Sequence, residues 1–270
     1  MKFDFGKMGC IPIDTTPGAG AFKVMSDLYI ERDREKWRLR ANKGRLKPYI
    51  GKIKGQRFNN CAVAAAVKAL EMSRAIANHP FIELSDTFTY QLVNGGRDAG
   101  SSIQSNLTAL RNVGTVPATI YPGSTWRRRH TQEELELAEN YQVEDYLELP
   151  DFDAHATSIL WYHRPVCFGV RWGAAGHAIV GWDIVFRDQV PAVHLKAYES
   201  YARALEELGL ASEALAAVKA IDDDAWTAIA NSWTEAWGEE GLGYLPESQV
   251  ASGIEARFGA WASLNATYAD

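Results

Sequence analysis

Three side chains in this sequence have the types needed for nucleophilic attack on a carbonyl carbon: Cys61, His177 and Asn231. Cys61 stands at the head of a long alanine-rich run that predicts a helix, directly after the polar segment 55–60. Because a helix N-terminus favours negative charge, a thiol there is expected to have a lowered pKa and to react as a thiolate. A single cysteine in an apolar run is, however, more often a buried packing residue.

The other two residues supply the partners that a nucleophilic thiol needs. His177 opens a predicted strand after a turn rich in glycine and alanine, and Asn231 lies towards the end of another predicted strand. An imidazole within hydrogen-bonding distance can take the thiol proton, and an amide oxygen can hold that imidazole in one tautomer. The three residues together predict a nucleophile, its base and the group that orients the base.

The segment NSWTEAWGEEGLGY at 231–244 resembles the motif Asn-Ser-Trp-Gly-x-x-Trp-Gly-x-x-Gly-Tyr of the papain-like (C1 family) cysteine peptidases. HAIVGWD at 177–183 is similar to the strand that carries the catalytic histidine in that family, and GQRFNNCAVAAA at 55–66 resembles the nucleophile segment. The resemblance runs from about residue 50 to 250 in the family's order. It is to a variant without disulfides, of the type found in bacteria and their phages.

This resemblance implies a role for each of four residues in the reaction. Cys61 would be the nucleophile, His177 the general base and then the general acid, and Asn231 the residue that orients His177. Gln56 would donate its side-chain amide to the oxyanion of the tetrahedral intermediate.

The resemblance also implies a set of residues that bind the substrate. In the family, a glycine loop pairs with the substrate as an added strand, a residue after the catalytic histidine lines the specificity pocket, and a tryptophan shields the Asn–His hydrogen bond from water. The corresponding residues here are Gly95, Gly96, Ala178 and Trp233.

Two departures from the family pattern concern the nucleophile loop. Two family cysteines that form a disulfide in secreted members are Phe58 and Val93 here, and an apolar contact between them would replace the bond. Gln56 precedes the nucleophile by five residues, whereas the family has six, so Asn59 and Asn60 are alternative oxyanion donors.

The elements that must position these residues follow from the hydrophobic periodicity, which favours helices first and strands later. We predict an α+β, papain-like two-lobe fold, in which an N-terminal helical lobe carries the cysteine helix and a C-terminal antiparallel β lobe carries His177 and Asn231. Helices are predicted at 61–77, 85–93, 102–113, 131–139 and 154–163, and strands at 165–172, 177–186, 192–198, 226–233 and 242–246.

The predicted domain organisation has three parts. Residues 1–50 form an N-terminal arm, 51–253 the papain-like domain with a helical insertion at about 199–224, and 254–270 a C-terminal tail. The arm is expected to occlude the cleft, extend a sheet or tether the domain to a protein partner. The insertion either packs on its own lobe or contacts another subunit.

Composition and charge argue against several classes of function. The 270 residues carry a formal net charge of −6, which disfavours binding to nucleic acid or to an anionic membrane. No apolar stretch approaches the roughly 20 residues that span a bilayer, and no signal peptide is evident, so the cytoplasm is the expected location, with association to a virion as a second option. The three cysteines and the remaining histidines show no metal-ligand spacing, so neither a metal nor another cofactor is expected.

Three functions are consistent with these residues. The leading one is a thiol endopeptidase that hydrolyses peptide bonds through an acyl-enzyme, with a peptide or protein as its substrate. The alternative is a papain-like scaffold with a structural or assembly role, for example in a phage particle, and with weak or vestigial activity. The third is a Cys-His amidase that acts on peptidoglycan.

Overall fold

The computed structural model describes residues 9–13, 23–24, 28–173 and 175–266. The α-helices in these ranges are α1 (Arg34–Arg40), α2 (Cys61–Ile76), α3 (Asp86–Asn94), α4 (Ile103–Asn112), α5 (Gln132–Ala138), α6 (Phe152–Leu160), α7 (Ala192–Glu207), α8 (Ala211–Ala220) and α9 (Glu247–Glu255). The strands are β1 (Lys23–Val24), β2 (Val143–Glu148), β3 (Val166–Trp172), β4 (Ala175–Phe186), β5 (Ala225–Ala230), β6 (Leu242–Pro246) and β7 (Ala260–Ala266).

The strands of the described residues form one sheet in the order β1-β2-β7-β3-β4-β5-β6. β1 pairs with β2 in parallel, and all other neighbours are antiparallel. Helices α2 to α5 precede most of the sheet in the chain, and α2 packs against β4 and β7. This architecture confirms the predicted α+β class. No helix among the described residues combines the length and the hydrophobicity that a membrane crossing requires.

Helix α2 is buried along almost its whole length between α3 and α4 on one side and the sheet on the other. Its alanines let the backbone approach the neighbouring elements closely, which a run of larger side chains would prevent. In the sequence, Lys68, Glu71 and Arg74 recur every three residues, a spacing that predicts a narrow solvated side of the helix. All three are nevertheless buried. Glu71 instead forms ion pairs with Lys54 and Lys68, so charge neutralisation inside the protein replaces hydration.

The insertion between β4 and β5 begins earlier than its sequence indicates. The predicted strand 192–198 is wrong, because these residues form the first two turns of α7. In the segment AVHLKAY, apolar residues fit both an alternating and a helical pattern, and the helical one continues through Tyr201, Ala202 and Leu205, which are buried. The insertion is therefore a helical hairpin of α7 and α8.

Parts of the predicted arm and tail are integral to the sheet lobe. Trp37 of α1 is fully buried against Phe152 of α6, and Arg38 pairs with Asp188 and Asp224. Strand β7, which lies in the segment 254–270, pairs with both β2 and β3. Residues on the outer side of both predicted boundaries, 51 and 253, therefore contribute to the packing around the sheet.

Candidate active site

Cys61 is the first residue of α2 and is fully buried. The backbone N–H of Gly9 donates to its Sγ atom over 3.4 Å. Burial raises the pKa of the thiol, although the backbone N–H groups of Gly9, Ala178 and Ala62 act in the opposite direction. The sequence suggested a lowered pKa at this helix N-terminus. The pKa shift has the opposite sign because loss of hydration destabilises the thiolate by more than the nearby N–H groups stabilise it.

His177 and Asn231 meet although they lie 54 residues apart in the chain. His177 lies in β4, and Asn231 directly follows the neighbouring strand β5, whose last residue, Ala230, lies opposite Val180. His177 Nε2 lies 2.8 Å from Asn231 Oδ1. Because an amide oxygen only accepts hydrogen bonds, the proton of the neutral imidazole is on Nε2. Nδ1 then carries the lone pair, and it is buried without a hydrogen-bond partner among the described residues.

The backbone fixes the asparagine side chain. Asn231 Oδ1 also accepts the N–H of Ser232 over 2.8 Å, and the N–H of Asn231 donates to Gly241 O over 2.9 Å. Burial lowers the pKa of His177 to about 4, while the hydrogen bond to Asn231 raises it. At neutral pH the covered site therefore holds a neutral imidazole and a neutral thiol rather than an ion pair.

Three tryptophans surround the imidazole. The ring of Trp233 lies over His177 with centroids 4.6 Å apart and an interplanar angle of 31°. Trp172 meets the same imidazole edge-on at 5.8 Å, and Trp237 contacts Trp233 at 6.1 Å. These rings exclude water from the Asn–His hydrogen bond, which strengthens it. Trp172 was not among the predicted site residues, although its place at the end of a strand directly before the histidine turn was a usable signal.

Gln56 lies in the cleft beside the asparagine motif. Its backbone N–H donates to Ser232 O over 2.6 Å, and its Oε1 accepts the hydroxyl of Ser232 over 3.0 Å. Its Nε2 donates to Phe58 O over 2.6 Å. The amide that the resemblance assigns to the oxyanion therefore donates, in this conformation, to the shortened nucleophile loop.

The two alternative oxyanion donors have other partners. The N–H of Asn59 donates to Asp98 Oδ1 over 2.8 Å, and Nδ2 of Asn60 donates to Asp86 Oδ2 over 2.9 Å. Phe58, at the position of a family cysteine, packs against Trp126 with ring centroids 4.5 Å apart. Phe58 therefore has an aromatic partner at the position where secreted members of the family have a disulfide.

Residues 9–13, which we term the strap, cross the cleft directly over Cys61. The N–H of Cys10 donates to Gly176 O over 3.2 Å, and the N–H of Ile11 donates to Ser101 O over 3.1 Å. The N–H of Ser101 in turn donates to the carbonyl oxygen of Gly9 over 2.8 Å. The strap therefore bridges the helical lobe and the turn that carries His177, and it leaves Cys61 no exposed surface.

The backbone that pairs with the strap lies beyond the glycine loop of the predicted substrate site. Gly95 is the left-handed C-cap of α3, and Gly96 follows it beside the side chain of Gln91. The backbone that pairs with the strap is instead Gly100–Ser101. A Cβ atom at Gly100 would lie 2.3 Å from the carbonyl oxygen of Gly9, so only glycine permits this approach.

The described residues contain three free cysteines, all of them buried, and no group of three side chains arranged to hold a metal ion. Cys10, for which the sequence indicated no role, lies in the strap. Cys167 lies in the middle of β3, where the sequence predicts a core residue.

Known structures resemble the whole chain. Xylellain, a cysteine protease from Xylella fastidiosa, superimposes with a TM-score of 0.62 at 16% identity, over 98% of this chain and 97% of that one. The bromelain protease from Ananas comosus, solved with the E64 inhibitor, gives 0.56 at 13% identity over 85% and 99%. Digestive procathepsin L 3 of Tenebrio molitor gives 0.56 at 12% identity over 81% and 67%.

Comparison by sequence gives no match: no protein-family model and no curated protein matches the chain. The structural likeness to xylellain nevertheless extends over 98% of this chain. The chain therefore has the fold of the papain-like cysteine proteases, as its sequence predicts.

Proposed function

We propose that this protein is a thiol endopeptidase whose nucleophile is Cys61. The observation that carries the proposal is the hydrogen bond between His177 Nε2 and Asn231 Oδ1, which leaves the lone pair of Nδ1 available in the same buried cleft as a thiol at a helix N-terminus. A thiol, an oriented base and backbone N–H donors are the three components that acyl transfer to sulfur requires.

In the proposed reaction, Nδ1 of His177 takes the thiol proton while Sγ of Cys61 attacks the carbonyl carbon of a peptide. The oxyanion forms beside the first N–H groups of α2, which have no partner within the helix and favour negative charge. Gln56 joins them when its amide turns away from Phe58. His177 then protonates the departing amine, and water attacks the thioester with His177 as the base.

The strap indicates where a substrate backbone would lie. Its residues form hydrogen bonds with the two backbone edges that border the nucleophile, Gly100–Ser101 on the helical lobe and Gly176 on the other side. We infer that these edges bind an extended substrate by backbone hydrogen bonds, as strand addition does elsewhere. The strap and a substrate would then compete for the same groups, so the covered state is inactive.

The test uses the full-length chain carrying Gly9→Ala, a substitution that displaces the strap because a Cβ atom at Gly9 would lie 2.1 Å from the carbonyl oxygen of Asn59. It measures two quantities: hydrolysis of fluorogenic peptides and the rate at which iodoacetamide alkylates Cys61. Cys61→Ala is expected to abolish hydrolysis, and Cys167→Ala, a buried thiol in β3, is the matched control that retains it. Alkylation of Cys61 near neutral pH is expected to be faster than that of free cysteine once the strap is displaced. A rate no greater than free cysteine, unchanged in His177→Ala, refutes the peptidase.

One observation favours a second candidate, a papain-like scaffold with vestigial chemistry. Cys61 has no exposed surface, and the Gln56 amide donates to Phe58 rather than into an open oxyanion site. For a scaffold, displacing the strap would not produce a reactive thiol. The same alkylation measurement therefore separates the two functions.

A further inference from the structure

The helical insertion reaches the active site through one side chain. Tyr201 lies on α7, within the insertion, and is buried. Its hydroxyl oxygen accepts the backbone N–H of Gly173 over 3.2 Å. Its ring packs against Trp172 with centroids 5.5 Å apart. Tyr201 therefore contacts two consecutive residues at the end of β3, in the turn that leads to His177.

A second contact from α7 supports the backbone of Arg171, the residue before Trp172. Tyr198, one turn earlier on α7, packs against Tyr201 at 5.5 Å and donates its hydroxyl to Gln249 Oε1 over 2.7 Å. Nε2 of Gln249 then donates to the carbonyl oxygen of Arg171 over 3.1 Å. Helix α7 thus holds the backbone at residues 171 and 173, on both sides of Trp172.

Trp172 links this supported backbone to His177, because its ring contacts the imidazole. In the β3–β4 hairpin, Trp172 lies opposite Ala175, and Val170 lies opposite His177. Because side chains alternate along a strand, Trp172 and His177 project from the same face as diagonal neighbours. Their rings meet edge-on, with centroids 5.8 Å apart.

We propose that Tyr201 is a positioning residue for His177, acting through Trp172 and the backbone of Gly173. The turn needs such support because Gly173 has a positive φ of 63°, a conformation that a glycine leaves readily. With Nδ1 unpaired, the plane of the imidazole depends on one hydrogen bond and on the rings around it. The inference rests on the proposed function and explains why the insertion packs beside the histidine turn.

The test follows the imidazole directly, by nitrogen-15 NMR of histidine-labelled full-length protein, with the His177 signals assigned from their absence in His177→Ala. In the wild type we expect the tautomer with the proton on Nε2. In Tyr201→Phe, which keeps the ring, exchange of that proton with water is expected to be about fivefold faster, the factor that one neutral hydrogen bond contributes. In Tyr201→Ala both nitrogen shifts are expected to move towards the values of mixed tautomers.

Tyr121→Phe is the matched control. Tyr121 is also buried, and its hydroxyl bonds a backbone carbonyl, that of Arg128, in the helical lobe. Unchanged His177 signals and proton exchange in Tyr201→Phe, or in a folded Tyr201→Ala, overturn the inference, as does an equal effect of Tyr121→Phe. None of these readouts uses peptide hydrolysis, so a failure here is distinct from failure of the proposed reaction, which the His177 dependence of Cys61 alkylation decides.

Discussion

Replacing Gly9 by alanine is expected to open the strap and expose the nucleophile. A Cβ atom at Gly9 would lie 2.1 Å from the carbonyl oxygen of Asn59 and 2.6 Å from its Cβ atom. Asn59 cannot move away easily, because its N–H is bonded to Asp98. The strap must therefore shift away from Cys61 to relieve the overlap.

The expected size of the effect follows from the hydrogen bonds that would be lost. Three backbone hydrogen bonds hold the strap to Gly176 and Ser101. At about 0.5 to 1.5 kcal/mol net for each bond, their loss favours the open state by roughly 1.5 to 4.5 kcal/mol. Since 1.4 kcal/mol is a factor of ten, alkylation of Cys61 in Gly9→Ala should be about 10 to 1,000 times faster than in the wild type.

The assay is timed alkylation of the full-length chain with iodoacetamide, with the modified cysteine identified by peptide mass mapping. Ile11→Ala is the control, because the Ile11 side chain is 46% exposed and its backbone hydrogen bond does not depend on it. The control should alkylate at the wild-type rate. If Gly9→Ala folds normally and its Cys61 is alkylated no faster than in the wild type, the strap does not protect the thiol.

Three other outcomes are expected. Because burial holds the pKa of His177 at about 4 in the closed state, against an ordinary 6.5, protonation favours opening. The closed state is then fully favoured above pH 6.5 and loses stability as the pH falls towards 4, by about 3 kcal/mol in all. Hydrogen exchange of the strap amides, corrected for intrinsic rates, should show this loss in the wild type. In His177→Ala the stability of the closed state should not depend on pH in this range. Trp233→Phe should lower kcat/KM by about tenfold in peptide hydrolysis, because the smaller ring admits water to the Asn–His hydrogen bond, an effect absent if the ring only packs. Trp37→Ala should lower the free energy of unfolding in urea by about 3 to 5 kcal/mol because it empties a core site, whereas Leu39→Ala, on a side chain 77% exposed, should change it by less than about 0.5 kcal/mol.

The sequence predicted the parts of the site that depend on local pattern. The alanine-rich run after Cys61 predicts a helix with little exposed surface, and the motif beginning at Asn231 identifies the residue that bonds His177. Both strands that carry these partners also have strong β-forming side chains. Fold class and the pairing of His177 with Asn231 therefore followed from short segments.

Other features depend on contacts between distant residues and left no periodic signal. The strap joins Gly9 to Asn59 and Ser101 through backbone groups, which any sequence possesses. Strand β7 has the sequence AWASLNA, whose small residues have weak strand preference, so only its pairing with β2 and β3 makes it a strand. The apolar spacing at the start of α7 fits two periods, which is why the sequence predicts a strand at 192–198.

The buried charges of α2 also restrict how this sequence can diverge. Lys54 stands two residues before Gln56 and is paired with Glu71, while Lys68 donates to the carbonyl oxygens of Ile50 and Lys52. Removing Glu71 leaves the buried ammonium group of Lys68 without a carboxylate partner, which typically costs about 3 to 5 kcal/mol. Homologues that keep this arrangement should therefore keep all three charges or replace them together, and covariation at positions 54, 68 and 71 would mark chains whose nucleophile loop is anchored in the same way.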